Sequence, residues 1–203
     1  MSDALRKNYF QNKWPFNGFS YKEYEKWDDS RQWEMIDGVP YMMAPPVVNH
    51  QRMVMHLYDQ IKAYLKEKTC EVFISPIGVR LFPAEDKSDK EVVQPDLFVV
   101  CNPDIIGENS INGVPDLIIE IISQSTKKYD KFIKFAKYRQ VGVKEYWIVD
   151  YEGEEVHVYK WKNGDYIADI YSPFDTIDVG VLPGLAIDMK AIFKIQDEAA
   201  ESE

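Results

Sequence analysis

The sequence predicts an α/β (α+β) fold, with a mixed central sheet flanked by helices. Three segments are dense in β-branched and apolar residues, which is typical of buried strands. They span 92–101, 116–122 and 143–150. Two other segments, 50–68 and 127–141, repeat apolar residues at helical spacing. The order from residue 50 to residue 150 is therefore helix, three or four strands, helix and strand.

The N-terminal part predicts a short helix followed by a β-hairpin. Ser20 and Glu23 have the spacing of a capping box, which indicates a helix from there to about Trp27. Asp37-Gly38 is a strong two-residue turn signal within a hairpin over residues 32–43. The pair Pro45-Pro46 ends the second strand of that hairpin.

The first long helix is expected to run from His50 to about Lys68, with Asn49 as its cap. Its apolar face consists of Met53, Leu57, Ile61, Tyr64 and Leu65. Two short strands follow, at 70–75 and 79–82. The segment 84–90 is charged and polar and predicts a loop, and 102–114 is rich in turn residues.

The second long helix is expected over 127–141, with Ser125 or Thr126 as its cap and Gly142 as the residue that ends it. Its packed side is predicted to consist of Phe132, Ile133 and Ala136, together with Tyr129. The C-terminal part predicts a β-meander with an Asn163-Gly164 turn, and a final helical turn at 191–195. The meander strands are expected at 156–161, 166–171 and 176–179.

Composition favours one globular domain. The chain has 203 residues, of which 45% are hydrophobic. We expect an arm at 1–18, the domain at 19–195 and an acidic tail at 196–203. A net charge of −10 argues against a protein that coats nucleic acid or binds membranes through a polybasic surface. The N-terminal segment lacks the apolar core of a signal peptide, and no apolar segment approaches the length of a membrane span, which predicts a cytoplasmic protein.

The two cysteines, Cys70 and Cys101, are far apart in the sequence. Two cysteines are too few for a zinc site or a disulfide scaffold. We therefore expect both to be reduced, buried side chains in a reducing compartment.

Two carboxylates fall on apolar strands, where a lone charge is costly. Asp96 shares its strand face with Phe98 and Val100, and Glu120 shares its face with Ile118 and Ile122. If successive strands bring Asp96 and Glu120 together, their oxygens suit Mg²⁺ or Mn²⁺. The alternative is that each carboxylate forms an ion pair with a nearby Lys or Arg.

Three further features surround this pair of acids. The helix after Glu120 carries a local excess of positive charge, which is either a solvated face or a phosphate-binding surface. Its basic residues are Lys127, Lys128, Lys131, Lys134, Lys137, Arg139 and Lys144. Glu34 either faces inward from the hairpin or is exposed on its strand. His50 either contacts substrate or only helps to cap its helix.

Several segments together resemble one family. They are WEMIDGVPYMM, His50-Gln51, VQPDLFVV, PDLIIEIISQST, Asp130 with Lys134, and GVKEYWIVD. Their order and spacing are similar to those of the Uma2 (Uma-two) family of restriction-endonuclease-like proteins, within the PD-(D/E)XK nuclease superfamily. The resemblance covers about residues 20–195.

The resemblance implies an αβββαβ restriction-endonuclease-like core and cleavage of phosphodiesters with Mg²⁺ or Mn²⁺. It identifies Asp96 and Glu120 as catalytic metal ligands, joined by the backbone carbonyl of Ile121 and by Glu34. The superfamily lysine is absent, because Ile122 occupies its position. Lys134 is the replacement that the family pattern favours, and Lys131 and Lys127 are weaker candidates. Ser123 and Gln124 are placed where they could touch metal-bound water.

The expected function is a metal-dependent endonuclease acting on nucleic acid, with DNA as the expected substrate. Asp96, Glu120, Lys134, Glu34 and His50 would be catalytic, and Lys127, Lys131 and Lys137 would bind the flanking phosphates. No membrane partner is expected, and a homodimer is compatible with duplex cleavage. The alternatives are a catalytically inactive binding or accessory module with the same fold, and a hydrolase of small phosphate esters.

Overall fold

The computed structural model describes residues 17–27, 31–122 and 129–193, without the side chains of residues 129–131. The acidic tail at 196–203, nearly all of the arm at 1–18, and the expected caps Ser125 and Thr126 lie outside these ranges. Within them, the helices are α1 (Tyr21–Tyr24), α2 (Val48–Leu65) and α3 (Phe135–Val141). A 3₁₀ turn spans Pro103–Ile105, and a π-helical turn, Tyr129–Lys134, leads directly into α3.

The strands fall into three sheets. The first half of the chain contributes β1 (Trp33–Ile36), β2 (Val39–Met42), β3 (Glu71–Ile74), β4 (Gly78–Arg80), β5 (Val92–Val93), β6 (Leu97–Val100) and β7 (Ser110–Asn112). The second half contributes β8 (Leu117–Ile122), β9 (Glu145–Asp150), β10 (Glu155–Lys162), β11 (Asp165–Tyr171), β12 (Thr176–Asp178) and β13 (Ala186–Asp188).

The central sheet has six strands in the order β11-β10-β9-β8-β6-β3. Strand β6 runs antiparallel to both of its neighbours, β3 and β8, whereas β9 runs parallel to β8. The crossover between β8 and β9 includes α3, because parallel neighbours need a long connection. The elements α2, β3, β6, β8, α3 and β9 thus form the αβββαβ core, and the predicted fold class is confirmed.

A second sheet of five strands, in the order β2-β1-β5-β4-β7, was not expected as a separate unit. It forms because the segment 92–101 is not one strand. Pro95, which has no amide hydrogen to donate, separates β5 from β6, and these two strands belong to different sheets. The break leaves Asp96 immediately before β6, where the chain passes from one sheet to the other.

Two apolar layers cover the two faces of the central sheet. On one face, α2 and the β12–β13 hairpin pack against side chains such as Leu97, Ile119 and Trp147. On the other face, the five-stranded sheet and α3 pack against Phe98, Ile118, Ile122 and Ile148. The alternation along β6 and β8 therefore agrees with the predicted faces.

Local signals account for most element ends. Ser20 and Glu23 form the expected capping box on α1. Asp37 and Gly38 both have positive φ, 52° and 73°, as a two-residue hairpin turn requires. Gly142 ends α3 in the left-handed conformation, as predicted.

The prediction for the start of α2 was wrong. The helix begins at Val48 with Val47 as its N-cap, so Asn49 lies inside the first turn. Val47 is in an extended conformation, and the helix begins at the residue after it without a side-chain cap. The predicted apolar face is nevertheless confirmed, since Met53, Leu57 and Ile61 are buried.

The packed side predicted for the helix at 127–141 was also wrong. Phe132 is 70% exposed and Ile133 is 36% exposed. The inward positions are taken by Lys134 and Tyr138, which are both buried. Phe132 lies about half a helical turn from Lys134, so it falls on the solvent side.

The C-terminal strands differ from the predicted meander in one respect. β10 and β11 form the expected hairpin, with positive φ at Asn163 and Gly164. β12, however, pairs with β13 rather than with β11.

No helix among the described residues is long and apolar enough to cross a membrane.

The expectation of two reduced cysteines was wrong in this structure. Cys70 and Cys101 form a disulfide. The antiparallel pairing of β3 with β6 matches Glu71 with Val100, so the next pair outward is Cys70 opposite Cys101. The two cysteines are distant in the sequence but adjacent in space, because the register of β3 with β6 places them opposite each other.

Candidate active site

Asp96 and Glu120 meet in the interior of the central sheet, where β6 begins beside β8. The register of β6 with β8 pairs Leu97 with Ile119, so Asp96 lies opposite Glu120. The amide nitrogen of Asp96 is 3.4 Å from Oε2 of Glu120, and the amide of Ile121 donates to Oδ2 of Asp96 at 2.8 Å. Each carboxylate thus contacts a backbone amide of the neighbouring segment, and the two residues are adjacent, as the strand pattern predicts.

Lys134 reaches the same place from the π-helical turn before α3. Its Nζ lies 2.9 Å from Oε1 of Glu120 and 2.8 Å from Oε1 of Glu34. All three residues are at most 2% exposed. An ammonium held between two buried carboxylates offsets the cost of removing those charges from water.

Glu34 faces inward from β1, which is the first of the two alternatives left open by the sequence. Its Oε1 accepts a hydrogen bond of 2.7 Å from the amide of Gln94. Gln94 lies two residues before Asp96, and its side-chain amide donates to the Tyr24 hydroxyl at 3.1 Å. Burial raises the pKa of Tyr24 to about 12. The hairpin, the β5–β6 turn and α1 are therefore joined behind the acids.

Tyr138, on α3, is a site residue that the sequence reasoning missed. Its hydroxyl donates to Oε1 of Glu120 at 2.8 Å, and the residue is fully buried. Burial, followed by the negative charge of Glu120, raises the pKa of Tyr138 well above its usual value. Its position one helical turn after Lys134 is the signal that could have identified it.

His50 occupies the more open side of the site. It lies in the first turns of α2, and its Nε2 is 3.0 Å from Oδ2 of Asp96. The side chains of His50 and Asp96 are each 14% exposed, in contrast to the sealed group around Lys134. A small molecule or ion would therefore approach Asp96 from the side of His50.

The expected basic surface is largely neutralised where its side chains are described. Lys137 contacts Asp37 at 2.6 Å and Glu91 at 3.4 Å. Two other basic residues of this surface also form ion pairs, Arg139 with Asp165 and Lys144 with Asp116. The side chains of Lys127, Lys128 and Lys131, and residues Ser123 and Gln124, lie outside the described part of the chain.

Among the described residues, no group of three or more His, Cys, Asp or Glu side chains is arranged to hold a metal ion. The donor chemistry still fits a hard divalent cation. Glu34 and Glu120 share the Lys134 ammonium, and Asp96 lies beside Glu120 at the start of the adjacent strand, so the oxygen donors belong to the class that such an ion prefers. Ile122, at the position of the missing lysine, is completely buried in the core.

Comparisons with known proteins identify a family and related sequences. A family model described as "Putative restriction endonuclease", Uma2, matches residues 21–190. An uncharacterised protein of Synechocystis sp. (strain ATCC 27184 / PCC 6803 / Kazusa) is 25% identical over 89% of this chain and 94% of its own length. A second uncharacterised protein of the same strain is 31% identical over 58% of this chain and 65% of its own length.

A solved structure has a similar fold. It is the crystal structure of a protein from Anabaena variabilis ATCC 29413 that is described as a "putative nuclease". The TM-score is 0.67 with 20% sequence identity, and the match covers 87% of this chain and 98% of the other.

Proposed function

The chain belongs to the Uma2 family of restriction-endonuclease-like proteins, and we propose that it is a metal-dependent endonuclease that hydrolyses phosphodiester bonds of nucleic acid, DNA in particular. The observation that carries this proposal is the meeting of Asp96, Glu120 and Lys134. Two carboxylates and a lysine are the groups needed to bind a cation and to stabilise charge on a phosphate. The similar fold of the Anabaena variabilis protein that is described as a "putative nuclease" supports the same reaction class.

The cation would be Mg²⁺ or Mn²⁺, held by Asp96, Glu120 and the backbone carbonyl of Ile121, with Glu34 as a further acid. When bound, such an ion lowers the pKa of water and neutralises negative charge on the scissile phosphate. The sealed side of the site, where Glu34 and Glu120 hold Lys134, keeps the acids in place. The more exposed side, at Asp96 and His50, is where we place the phosphate.

Lys134 takes the role of the lysine that Ile122 replaces. Its ammonium is positioned by two carboxylates, so it stabilises the charge that develops on the phosphate without a large rearrangement. His50 contacts Asp96 at 3.0 Å and is partly exposed, which suits a proton carrier or a phosphate contact. Lys127 and Lys131 remain the proposed contacts to flanking phosphates. Lys137 is a weaker one, because Asp37 and Glu91 already engage it.

One observation favours a second candidate, a catalytically inactive binding or accessory module. The site lacks a ready-made group of three ligating side chains among the described residues, and its lysine is bonded to two acids. In that module, Glu34, Lys134 and Glu120 would be a structural ion-pair network. The two candidates differ in one property, the affinity for a divalent cation.

The test is a calorimetric titration of the purified protein with Mn²⁺ and Mg²⁺, combined with cleavage of plasmid, single-stranded DNA and RNA. The variants are Asp96→Asn and Glu120→Gln. The matched control is Asp116→Asn, which changes a carboxylate on the same sheet that contacts Lys144 and the Cys101 amide instead of the site.

We expect metal binding and nicking in the wild type and in Asp116→Asn, and neither in the two site variants. Cleavage that persists in both site variants would contradict the assignment of the site. A folded wild type that binds no cation would favour the inactive module. Light scattering of the active fraction would show whether duplex cleavage is accompanied by a dimer, as we propose for cuts in both strands.

A further inference from the structure

Tyr138 has no role in the function proposed above, although it contacts one of the proposed metal ligands. Its hydroxyl lies 2.8 Å from Oε1 of Glu120, and the Lys134 ammonium lies 2.9 Å from the same oxygen. Lys134 and Tyr138 are four residues apart, so both project from one side of the helix toward Glu120. Oε1 is thus held from the α3 side, while Oε2 is directed to the backbone of Asp96 at 3.4 Å.

From this division of the carboxylate we infer that Tyr138 is a positioning residue, which fixes Glu120 with Oε2 toward Asp96 and so prepares it to bind a divalent cation. The inference rests on the proposed function, because it assigns a partner to one of its ligands. A hydrogen bond to the second oxygen of a ligating carboxylate restricts its rotation, and loss of such a partner commonly weakens metal binding. The hydroxyl cannot turn to water, since the residue is fully buried.

The contacts of the ring also favour this role. The Tyr138 ring packs edge-on against Tyr146 with 4.9 Å between ring centres. Gly142 ends the helix one turn later. The ring is therefore fixed by packing, and the hydroxyl is delivered to one place. Tyr138→Phe removes only the hydroxyl and keeps that packing, so the variant is expected to fold.

The experiment compares wild type, Tyr138→Phe and a control, Tyr166→Phe. The Tyr166 hydroxyl donates to the carbonyl of Val143 at 3.0 Å and is remote from Glu120 in the hydrogen-bond network. Both variants lose one tyrosine hydroxyl bond near α3, so a purely structural effect should be similar in the two. The readouts are the Kd for Mn²⁺ by calorimetry, kcat and KM for nicking, and thermal melting.

We expect Tyr138→Phe to raise the Kd for Mn²⁺ by about 10- to 100-fold, with KM for DNA unchanged, and Tyr166→Phe to leave the Kd within about twofold. Equal affinities in wild type and Tyr138→Phe would overturn the inference and leave the nuclease proposal intact. An equal loss in both variants would also overturn it. A wild type without metal binding would remove both proposals, and that result is distinct from the other two.

A second measurement needs no metal. The infrared difference between metal-free wild type and Tyr138→Phe should contain a shifted carboxylate stretch, because one carboxylate loses a donor. The infrared difference between Glu120→Gln and the double variant Glu120→Gln with Tyr138→Phe should lack that band. A band that persists in the Glu120→Gln background would mean that Tyr138 serves another group, and would overturn the inference.

Discussion

The ammonium of Lys134 donates to Oε1 of Glu120 at 2.9 Å, although fourteen positions separate the two residues in the sequence. The same ammonium contacts Glu34 at 2.8 Å, so the Lys134 side chain joins β1, β8 and the turn before α3. Removing the ammonium of Lys134 would leave two buried carboxylates without this partner. The contact therefore has a consequence for stability as well as for the proposed chemistry.

We expect Lys134→Met to lower the free energy of unfolding by about 3 kcal/mol at pH 7, because a buried charge pair that loses one partner is strongly destabilised. The measurement is urea unfolding followed by circular dichroism. Lys144→Met is the control, since the Lys144 side chain is 68% exposed in its pair with Asp116. The control should lose less than about 1 kcal/mol. Similar losses in both variants would contradict the account of a sealed site.

The exposure of Phe132 leads to a prediction of the opposite kind. Because the side chain is 70% exposed, Phe132→Ser should change the free energy of unfolding by no more than about 0.5 kcal/mol. Phe135→Ala should cost about 3 kcal/mol, since its ring lies 4.8 Å from Tyr159 and 5.6 Å from Tyr166. Denaturant titration of the two variants checks the pair. A large loss for Phe132→Ser would mean that this side chain is packed.

Features encoded by neighbouring residues were predictable from the sequence. The capping box on α1, the Asp37-Gly38 turn and the Gly142 helix end each depend on a few adjacent positions. The meeting of Asp96 and Glu120 was predictable for a similar reason. Glu120 lies on an apolar strand and Asp96 immediately precedes another, so burial of the apolar face fixes where each acid points.

Features that depend on register or on more distant packing were not predictable. Pro95 divides one apolar segment between two sheets, and this division could be predicted only if the arrangement of both sheets were already known. Cys70 meets Cys101 only through the register of β3 with β6. Phe132 is exposed because Lys134 and Tyr138 occupy the inner side of their helix. An apolar pattern alone would have placed aromatic and aliphatic side chains there.

The Cys70–Cys101 bond gives a prediction about the oxidised protein. In denaturant without reductant, oxidised protein should show no thiols, and after reduction it should show two. The double variant Cys70→Ala with Cys101→Ala should unfold about 3 kcal/mol more easily than the oxidised wild type, because a bond across 31 residues restricts the unfolded chain. The control is the same comparison in excess reductant, where most of this difference should disappear. Two thiols in the oxidised wild type would show that the bond does not form.

The pair of Arg139 and Asp165 at the edge of the central sheet makes a prediction about pH. Two bonds, of 2.6 and 2.8 Å, join the guanidinium to the carboxylate, and they hold the pKa of Asp165 at about 2 instead of its usual 3.8. Because the folded pKa is the lower one, this pair contributes to stability above about pH 4, and the contribution disappears as the pH falls through about 2.

Arg139→Gln should move the pKa of the Asp165 carboxyl most of the way back toward 3.8, with the Tyr166 amide retaining a smaller effect. A carboxyl-detected NMR titration of the wild type and the variant measures this shift directly. Asp175 is an internal control, because its pKa is lowered by Ser172 rather than by an arginine, and it should titrate identically in both proteins. If Asp165 keeps its low pKa in Arg139→Gln, the backbone of Tyr166 and not the guanidinium is what stabilises the carboxylate.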